Sequence, residues 1–530
     1  MSVPGLGWVS KFTKPVFQQS PKTLAIPMDL HLSARKKVVD LLHSRGVMNG
    51  IALVKGGQQE SQYDSDMEPP FRQDSWFNYL FGVKEPEFYG VISITTGKTT
   101  LFMPRLPDEY LVWCGQIFPP VHFKQMYGVD DVQYVDTLGD FLRQEFSSEP
   151  ESAKLHLMEG KNSDSGLFAT PARFDGDEEF QSRVDTSALY HAVSTARVTK
   201  SAHEIEAMRY SAYVASNAHV EVMRTTSAGM FEYECEAKFL YEIYKNGGCR
   251  KAAYTSICGC GPNAATLHYG HAGAPNLRHL QPNDIGLFDM GADYHGYVSD
   301  ITCSFPVSGK FTEDQALIFN AVLSAQRAVT ALARPGVTWV DCHRAAERAI
   351  LTVLTEGGLL TGNVDEMIDA VLGPTFFPHG LGHLIGCDTH DVGGYLSGTP
   401  EREVRPGLKN LRTARALEPN MVLTNEPGCY FVDYLLDKAL ANPEQSKFIN
   451  QEVLARFRGF GGVRLEDVVV VTENGFENLT TCPRTIEEIE SVMAGGAWPP
   501  AVDKAPELKR NWTTLGPDGE CMVPLAIPRG

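Results

Sequence analysis

The chain has 530 residues, more than one ordinary hydrophobic core accommodates, so two domains are expected. Hydrophobic residues make up 43% and charged residues 21%, the balance of a globular chain rather than a disordered one. Asp plus Glu outnumber Lys plus Arg by 65 to 47, a formal net charge of −18 that argues against nucleic acid or an anionic membrane surface as partner. No apolar run approaches the roughly 20 residues that span a bilayer.

Residues 1–28 hold no Asp or Glu, are interrupted by Gly5, Gly7, Pro4 and Pro15, and contain no long apolar stretch. They read as a loose N-terminal arm rather than a secretory signal. The eleven cysteines are scattered and include no CxxC pair, which points to reduced thiols and a cytoplasmic protein.

Residues 29–195 have the pattern of an α/β domain. A helix is predicted over 31–45, with Val38, Leu41 and Leu42 on one face and Gly46 as its stop. A buried strand is predicted over 51–54. A hairpin is predicted from 91–94 through Thr96-Gly97 to 100–102, and an exposed loop over 62–76.

Residues 196–498 change character. Ser201 with Glu204 forms a capping box that opens a long helix through Ile205, Met208, Val214 and Val220, and a second helix covers 231–244. Strands are predicted over 285–290 and 297–305. The order then repeats: Thr312 with Gln315 opens a helix that Pro335-Gly336 ends, another covers 340–355, and strands follow near 421–424 and 462–471. A helix pair twice precedes a strand pair, which suggests a two-halved α/β (α+β) domain with sheet between helices. The 499–530 tail carries six prolines and reads as an extension on the surface or mobile, dispensable for catalysis. The competing reading docks it through Trp512.

Four acidic residues border the apolar strands of the second domain: Asp289, Asp300, Glu426 and Glu466. An ionised carboxylate is costly there unless paired or bound to a cation. A glycine-rich loop with His379, His383 and His390 lies between them in sequence. Taken singly, each acid reads as a carboxylate held by an arginine or capping a strand end, and each histidine as a satisfied loop residue. Together, carboxylates and imidazole are hard to borderline donors that suit Mn, Co or Zn. Two divalent ions would neutralise four carboxylates. Such a pair activates a bridging water and steadies a tetrahedral intermediate. The His379–His383 spacing matches a helical zinc protease, but no Glu follows His379 and Gly380 and Gly382 disfavour a helix, so that reading is rejected.

The stretches 287–306, 377–395, 422–430 and 459–471 resemble the signature blocks of the pita-bread metallopeptidases. Residues 258–276 and 75–90 (SWFNYLFGVKEPEFYG) resemble more narrowly the Xaa-Pro dipeptidases, or prolidases. The resemblance spans about residues 30–495 and leaves out the arm and the tail. It implies an N-terminal α/β domain followed by a pita-bread catalytic domain, and two divalent metal ions, manganese before cobalt or zinc. The ions would be held by Asp289, Asp300, His383, Glu426 and Glu466. It implies that Glu426 also passes a proton, that His268 faces the substrate, and that His379 and His390 steady the scissile carbonyl. Arg412 falls where prolidases hold the substrate's free carboxylate, and Tyr254 and Arg464 where they support the ligands. His271 keeps the reading of a loop histidine. The implied activity is hydrolysis of Xaa-Pro dipeptides by a metal-bridging hydroxide. A bond to proline nitrogen is a tertiary amide without an N–H, so recognition by the two ends of a short peptide is consistent with that substrate. The resemblance further implies a homodimer, with Trp113 a candidate to reach the partner's cleft. The alternatives are an Xaa-Pro aminopeptidase acting on longer peptides, a non-catalytic pita-bread binding protein, and a metal-free member cleaving an amidine-like substrate. Arg412 and the 75–90 block weigh against the first, and the filled ligand positions against the others.

Overall fold

The computed structural model describes residues 15–269, 275–515 and 521–522. The chain divides into two compact units, Met1–Ala196 and Arg197–Gly530. No helix among the described residues is long and apolar enough to cross a membrane.

The first unit is built on a six-stranded mixed sheet in the order Val184–Asp185, Leu155–Leu157, Ile51–Lys55, Tyr89–Ser93, Thr99–Met103, Asp131–Tyr134. The apolar run at 51–54 is one of its inner strands, and the expected hairpin sets Val91 opposite Thr100. Helix Asp29–Ser44 turns Leu30, Val38 and Leu42 inward. Helix Ser75–Phe81 starts where the Asp74 side chain accepts the Phe77 N–H and ends at Gly82, φ +68°. A Cβ at Gly82 would lie 2.2 Å from the His31 ring, so backbone conformation and space both require glycine. The arm is not loose from residue 15 onward. Val16–Phe17 pairs with Ile26–Pro27, and Leu24, Ile26 and Met28 are buried, because this short apolar run has a core to join. Residues 1–14 lie outside the described residues.

In the second unit the predicted helices form with their caps. Ser201 and Glu204 close the capping box of Ala202–Thr225, and Thr312 and Gln315 that of Glu313–Leu332. Glu232–Lys245 and Trp339–Glu356 complete the two pairs. The strands depart from expectation in one respect. The run read as one strand over 297–305 is two, Tyr297–Val298 and Thr302–Pro306, and they belong to different sheets. The run over 462–471 is likewise Gly462–Arg464 and Asp467–Thr472. Their partners break at the same levels. Ile285–Asp289 pairs with Thr302–Pro306, and Ala292–Tyr294 with Tyr297–Val298. Val422–Asn425 pairs with Asp467–Thr472, and Gly428–Tyr430 with Gly462–Arg464. Each half therefore contains an antiparallel strand pair that leaves its ladder and rejoins another a few residues later. In the first gap the backbones close in: a Cβ on Gly291 would fall 1.9 Å from the Ser299 carbonyl oxygen.

The tail also differs from expectation. Residues 499–513 pack on the second unit, because Ala505, Leu508 and Arg510 find buried sites there. Asn478 N–H donates to Lys509 O (3.0 Å) and Asn511 N–H to Asn478 O (2.8 Å), a parallel bridge that proline density upstream does not prevent. The Arg510 guanidinium is fully buried, 2.7 Å from Glu488 Oε1 and 2.5 Å from Asp503 Oδ1, and lies over the rings of Trp498 and Trp512. Residues 516–520 and 523–530 lie outside the described residues. Removing one member of a buried ionic cluster strands the others without compensation. Arg510→Met should therefore lower the stability of this unit by about 3–5 kcal/mol, read as a drop in the denaturant midpoint. An unchanged midpoint would mean that the tail does not dock.

Candidate metal centre

The two ladder gaps carry the acidic residues. Asp289 is the last residue of its strand, and Asp300 lies between Tyr297–Val298 and Thr302–Pro306. Glu426 lies between Val422–Asn425 and Gly428–Tyr430, and Glu466 between Gly462–Arg464 and Asp467–Thr472. Asp289, Asp300 and Glu466 are buried, and Glu426 nearly so.

His383 joins them from the glycine-rich loop. Its Nδ1 lies 3.0 Å from the Leu384 carbonyl oxygen, an acceptor, which puts the proton on Nδ1 and a lone pair on Nε2. That lone pair faces Asp300 Oδ2 at 3.4 Å and Glu426 Oε1 at 3.5 Å. A lone pair facing two carboxylate oxygens is stable only with a cation between them, either a proton or a metal. Asp300 Oδ1 is buried and has no hydrogen-bond partner among the described residues, a second unmet demand for positive charge. Ligand atoms of Asp300, His383 and Glu466 all lie within 4.8 Å of one another, a group that could hold a metal ion. The donor set fits a divalent cation.

The remaining oxygens are held by the protein. The Tyr254 hydroxyl donates to Asp289 Oδ1, and Arg464 Nη2 donates to Asp289 Oδ2 at 2.6 Å. Arg464 Nε donates to Thr302 Oγ1 (3.0 Å), whose hydroxyl donates to Glu466 Oε2 (2.7 Å). The Thr424 hydroxyl donates to Glu426 Oε1 (3.1 Å) and accepts from the His383 backbone N–H (3.0 Å). Arg464 Nη1 donates to the Tyr430 hydroxyl (2.9 Å), which lies 2.8 Å from His379 Nε2, while His379 Nδ1 faces the Gly380 carbonyl. Tyr430, Thr302 and Thr424 were not singled out in the sequence. Tyr430 falls four residues after Glu426, but only the fold shows that it joins Arg464 to His379. With Arg464 inside the cluster, four carboxylates sum to −3 rather than −4. Charge alone therefore ceases to favour two ions over one: one divalent ion would leave −1, and two would leave +1 until an anion joined them.

The other residues expected at the site gather around this centre. His379 Nδ1 is 3.7 Å from Glu426 Oε2, and the His390 ring stands edge-on to His383, centroids 4.5 Å apart. The charges of His268 and Arg412 are both felt at His390. His268 is exposed and Arg412 half-buried. His271 lies outside the described residues.

Burial and neighbouring charge set the protonation of the ion-free site. Burial pushes Asp289 up to about 6, with Arg464 opposing and Asp300 adding to the rise. It pushes Glu426 up to about 7 against the pull of His383, and Glu466 well above the usual range, with Asp300 adding to the rise. Burial would raise Asp300 too, but the bond and charge of His383 outweigh it. His383 is raised despite burial, by Asp300 and Glu426. Burial lowers His379 to about 3 and His390 to about 2, so both are neutral near pH 7.

Residues 206–473 match the Metallopeptidase family M24 and residues 31–155 the Aminopeptidase P, N-terminal domain. The chain belongs to metallopeptidase family M24. The human Xaa-Pro dipeptidase is 49% identical over 485 residues, covering 91% of this chain and 97% of that one. A probable Xaa-Pro aminopeptidase of Phaeosphaeria nodorum is 34% identical over 463 residues, 87% and 96% of the two chains. Among solved structures, Pseudomonas aeruginosa aminopeptidase PepP superposes with a TM-score of 0.70 at 31% identity, covering 89% of this chain and 98% of that one. The zinc-substituted Escherichia coli aminopeptidase P in complex with product gives 0.69 at 29% identity, covering 89% and 99%. The fold is thus an aminopeptidase P-type N-terminal domain followed by a pita-bread domain, and the chain is a metal-dependent hydrolase.

Raised carboxyl groups bind protons in the folded, ion-free metallopeptidase at pH values where the unfolded chain has released them. Asp289 and Glu426 therefore make the ion-free fold lose stability as pH rises from about 4 through about 7. Divalent cations should raise the melting temperature more at pH 8 than at pH 5.5, and their binding near pH 6 should release protons. Calorimetry in buffers of different ionisation enthalpy measures that release, and its absence would contradict the shifts.

Proposed function

We propose that this metallopeptidase is a dinuclear Xaa-Pro dipeptidase, with Asp289, Asp300, His383, Glu426 and Glu466 as the ligands of two divalent ions, manganese foremost. The observation that carries the reading is the His383 Nε2 lone pair facing two carboxylates beside the partnerless Asp300 Oδ1. Dipeptidase rather than aminopeptidase action is supported by 49% identity to the human dipeptidase against 34% to the fungal aminopeptidase. When bound, the ions supply an activated water and polarise the scissile carbonyl.

The protein's own residues do the rest in this reading. Arg412 forks onto the free carboxylate of proline, which limits length to two residues. His390, neutral near pH 7, steadies the carbonyl oxygen through N–H donation; neutral His379 has its two ring nitrogens on the Gly380 carbonyl and the Tyr430 hydroxyl, so it reaches the substrate oxygen only by exchanging one of these bonds. Tyr430 and Arg464 fix the ring of His379. His268 faces the substrate, and Glu426 passes a proton to the leaving nitrogen. Tyr254 and Arg464 keep Asp289 oriented. A cytoplasmic homodimer belongs to the same reading. Tyr110–Trp113 is a short helix on which Leu111, Val112 and Trp113 are exposed, Trp113 by 82%, and an apolar surface of that kind suits a partner subunit.

Gly-Pro should be hydrolysed and Gly-Pro-Xaa should not. Cleavage of both at similar rates would favour the aminopeptidase reading. Asp300→Asn should lose most bound metal together with activity, and an active variant with full metal content would sink the ligand assignment. Arg412→Ala should leave metal content unchanged and raise KM, a loss of about 2–4 kcal/mol for a charge-assisted pair. If the wild type cleaves C-terminally amidated Gly-Pro as fast as the free acid, Arg412 has another role.

A further inference from the structure

One buried carboxylate beside the site has no part in the reading above. Asp391 directly follows His390, and its side chain is only 1% exposed. Two equally buried cations from the start of the second unit hold it. Arg197 Nη2 lies 2.6 Å from Oδ1, and Lys200 Nζ lies 3.1 Å from Oδ2. Arg197 Nη2 also reaches Asp388 Oδ2 at 2.7 Å, so two cations meet two anions, and Lys200 Nζ donates in addition to the Arg197 carbonyl oxygen. The backbone around Asp391 is closed on itself. Asp391 N–H donates to Leu384 O (2.8 Å), Gly386 N–H to Asp388 O (3.1 Å), and Val392 N–H to Asp391 Oδ1 (3.0 Å). A Cβ on Gly386 would lie 2.3 Å from Asp391 Oδ2, so the carboxylate packs directly on the turn that joins His383 to His390.

A buried ionic cluster adds little stability over well-packed apolar residues, so a role in holding local geometry is one reason for retaining it. Here the geometry fixed is the path between two histidines of the site. We propose that Asp391, gripped by Arg197 and Lys200, is a positioning residue that holds the His390 imidazole edge-on to His383 and beside the scissile carbonyl. The proposal rests on the reading of His390 given above. The bland alternative is that the cluster stabilises the fold and does nothing for His390.

The test is a double-mutant cycle on the metal-loaded enzyme with Gly-Pro as substrate. Asp391→Asn should lower kcat roughly a hundredfold, since misplacing a reacting group by about 1 Å has that effect. KM and bound metal should change little. In a His390→Ala background the same substitution should cost almost nothing more, because the residue it positions is gone. Losses that multiply across the two variants would overturn the proposal, as would a full-activity Asp391→Asn enzyme. A fully active His390→Ala enzyme would instead defeat the reading of His390 itself. If Asp391→Asn does not fold, Lys200→Met, which leaves Arg197 on the carboxylate, should show a smaller kcat loss of about tenfold and the same lack of additivity. Multiplicative losses there would count equally against the proposal.

Discussion

Four carboxylates and one guanidinium share a buried volume, and that imbalance governs the catalytic unit. Water would disperse the excess negative charge, but the site is built where strands and helices exclude it. The ion-free protein partly resolves the conflict by protonation, which is why Asp289, Glu426 and Glu466 are all shifted upward. Divalent cations resolve it more completely. The pull toward metal is thus a property of the fold itself: each oxygen that the protein leaves without a donor marks where positive charge is wanted.

The backbone creates this volume by interrupting its own sheets. Within a continuous ladder, side chains alternate between two faces and carbonyls and amides satisfy one another. Where both strands of an antiparallel pair leave the ladder together, the chain turns acidic side chains toward a shared interior. This happens once in each half of the domain, at 289–302 and at 425–467. Arg464 ties the halves together, since it binds Asp289 and Thr302 of the first while lying two residues before Glu466 of the second.

Around the centre, buried ionic groups serve as fixings. Arg484 donates to the Glu466 carbonyl oxygen and to Asp467, and Asp467 also accepts from Gln326 and Asn478. Asn478 bridges to the tail at residues 509–511, so the segment past 498 is joined by hydrogen bonds to Gly475–Asn478, the strand that pairs with Asp467–Thr472 after Glu466. Arg197 and Lys200 do for the histidine loop what Arg484 does for Glu466. Each fixing draws on residues far apart in sequence.

That separation divides what the sequence determined from what it did not. Helices were legible because caps and apolar spacing are local: Ser201 with Glu204 and Thr312 with Gln315 announce their helices within four residues. The inner strand at 51–55 and the hairpin after it were legible through apolar runs and a Thr-Gly turn. The metal-type residues stood out because ionisable groups beside apolar strands need an explanation. The strand breaks did not show, since 297–305 and 462–471 alternate well enough to read as continuous and only the partner's register ends the ladder. Nor did the burial of the tail, because proline content forbids regular structure without forbidding docking. The presence of Arg464 among the carboxylates was decided 175 residues away from Asp289, and no local pattern carries that. Local chemistry set the elements and the ligand types. Tertiary structure alone decided which oxygens were left unpaired, and so where a cation is required.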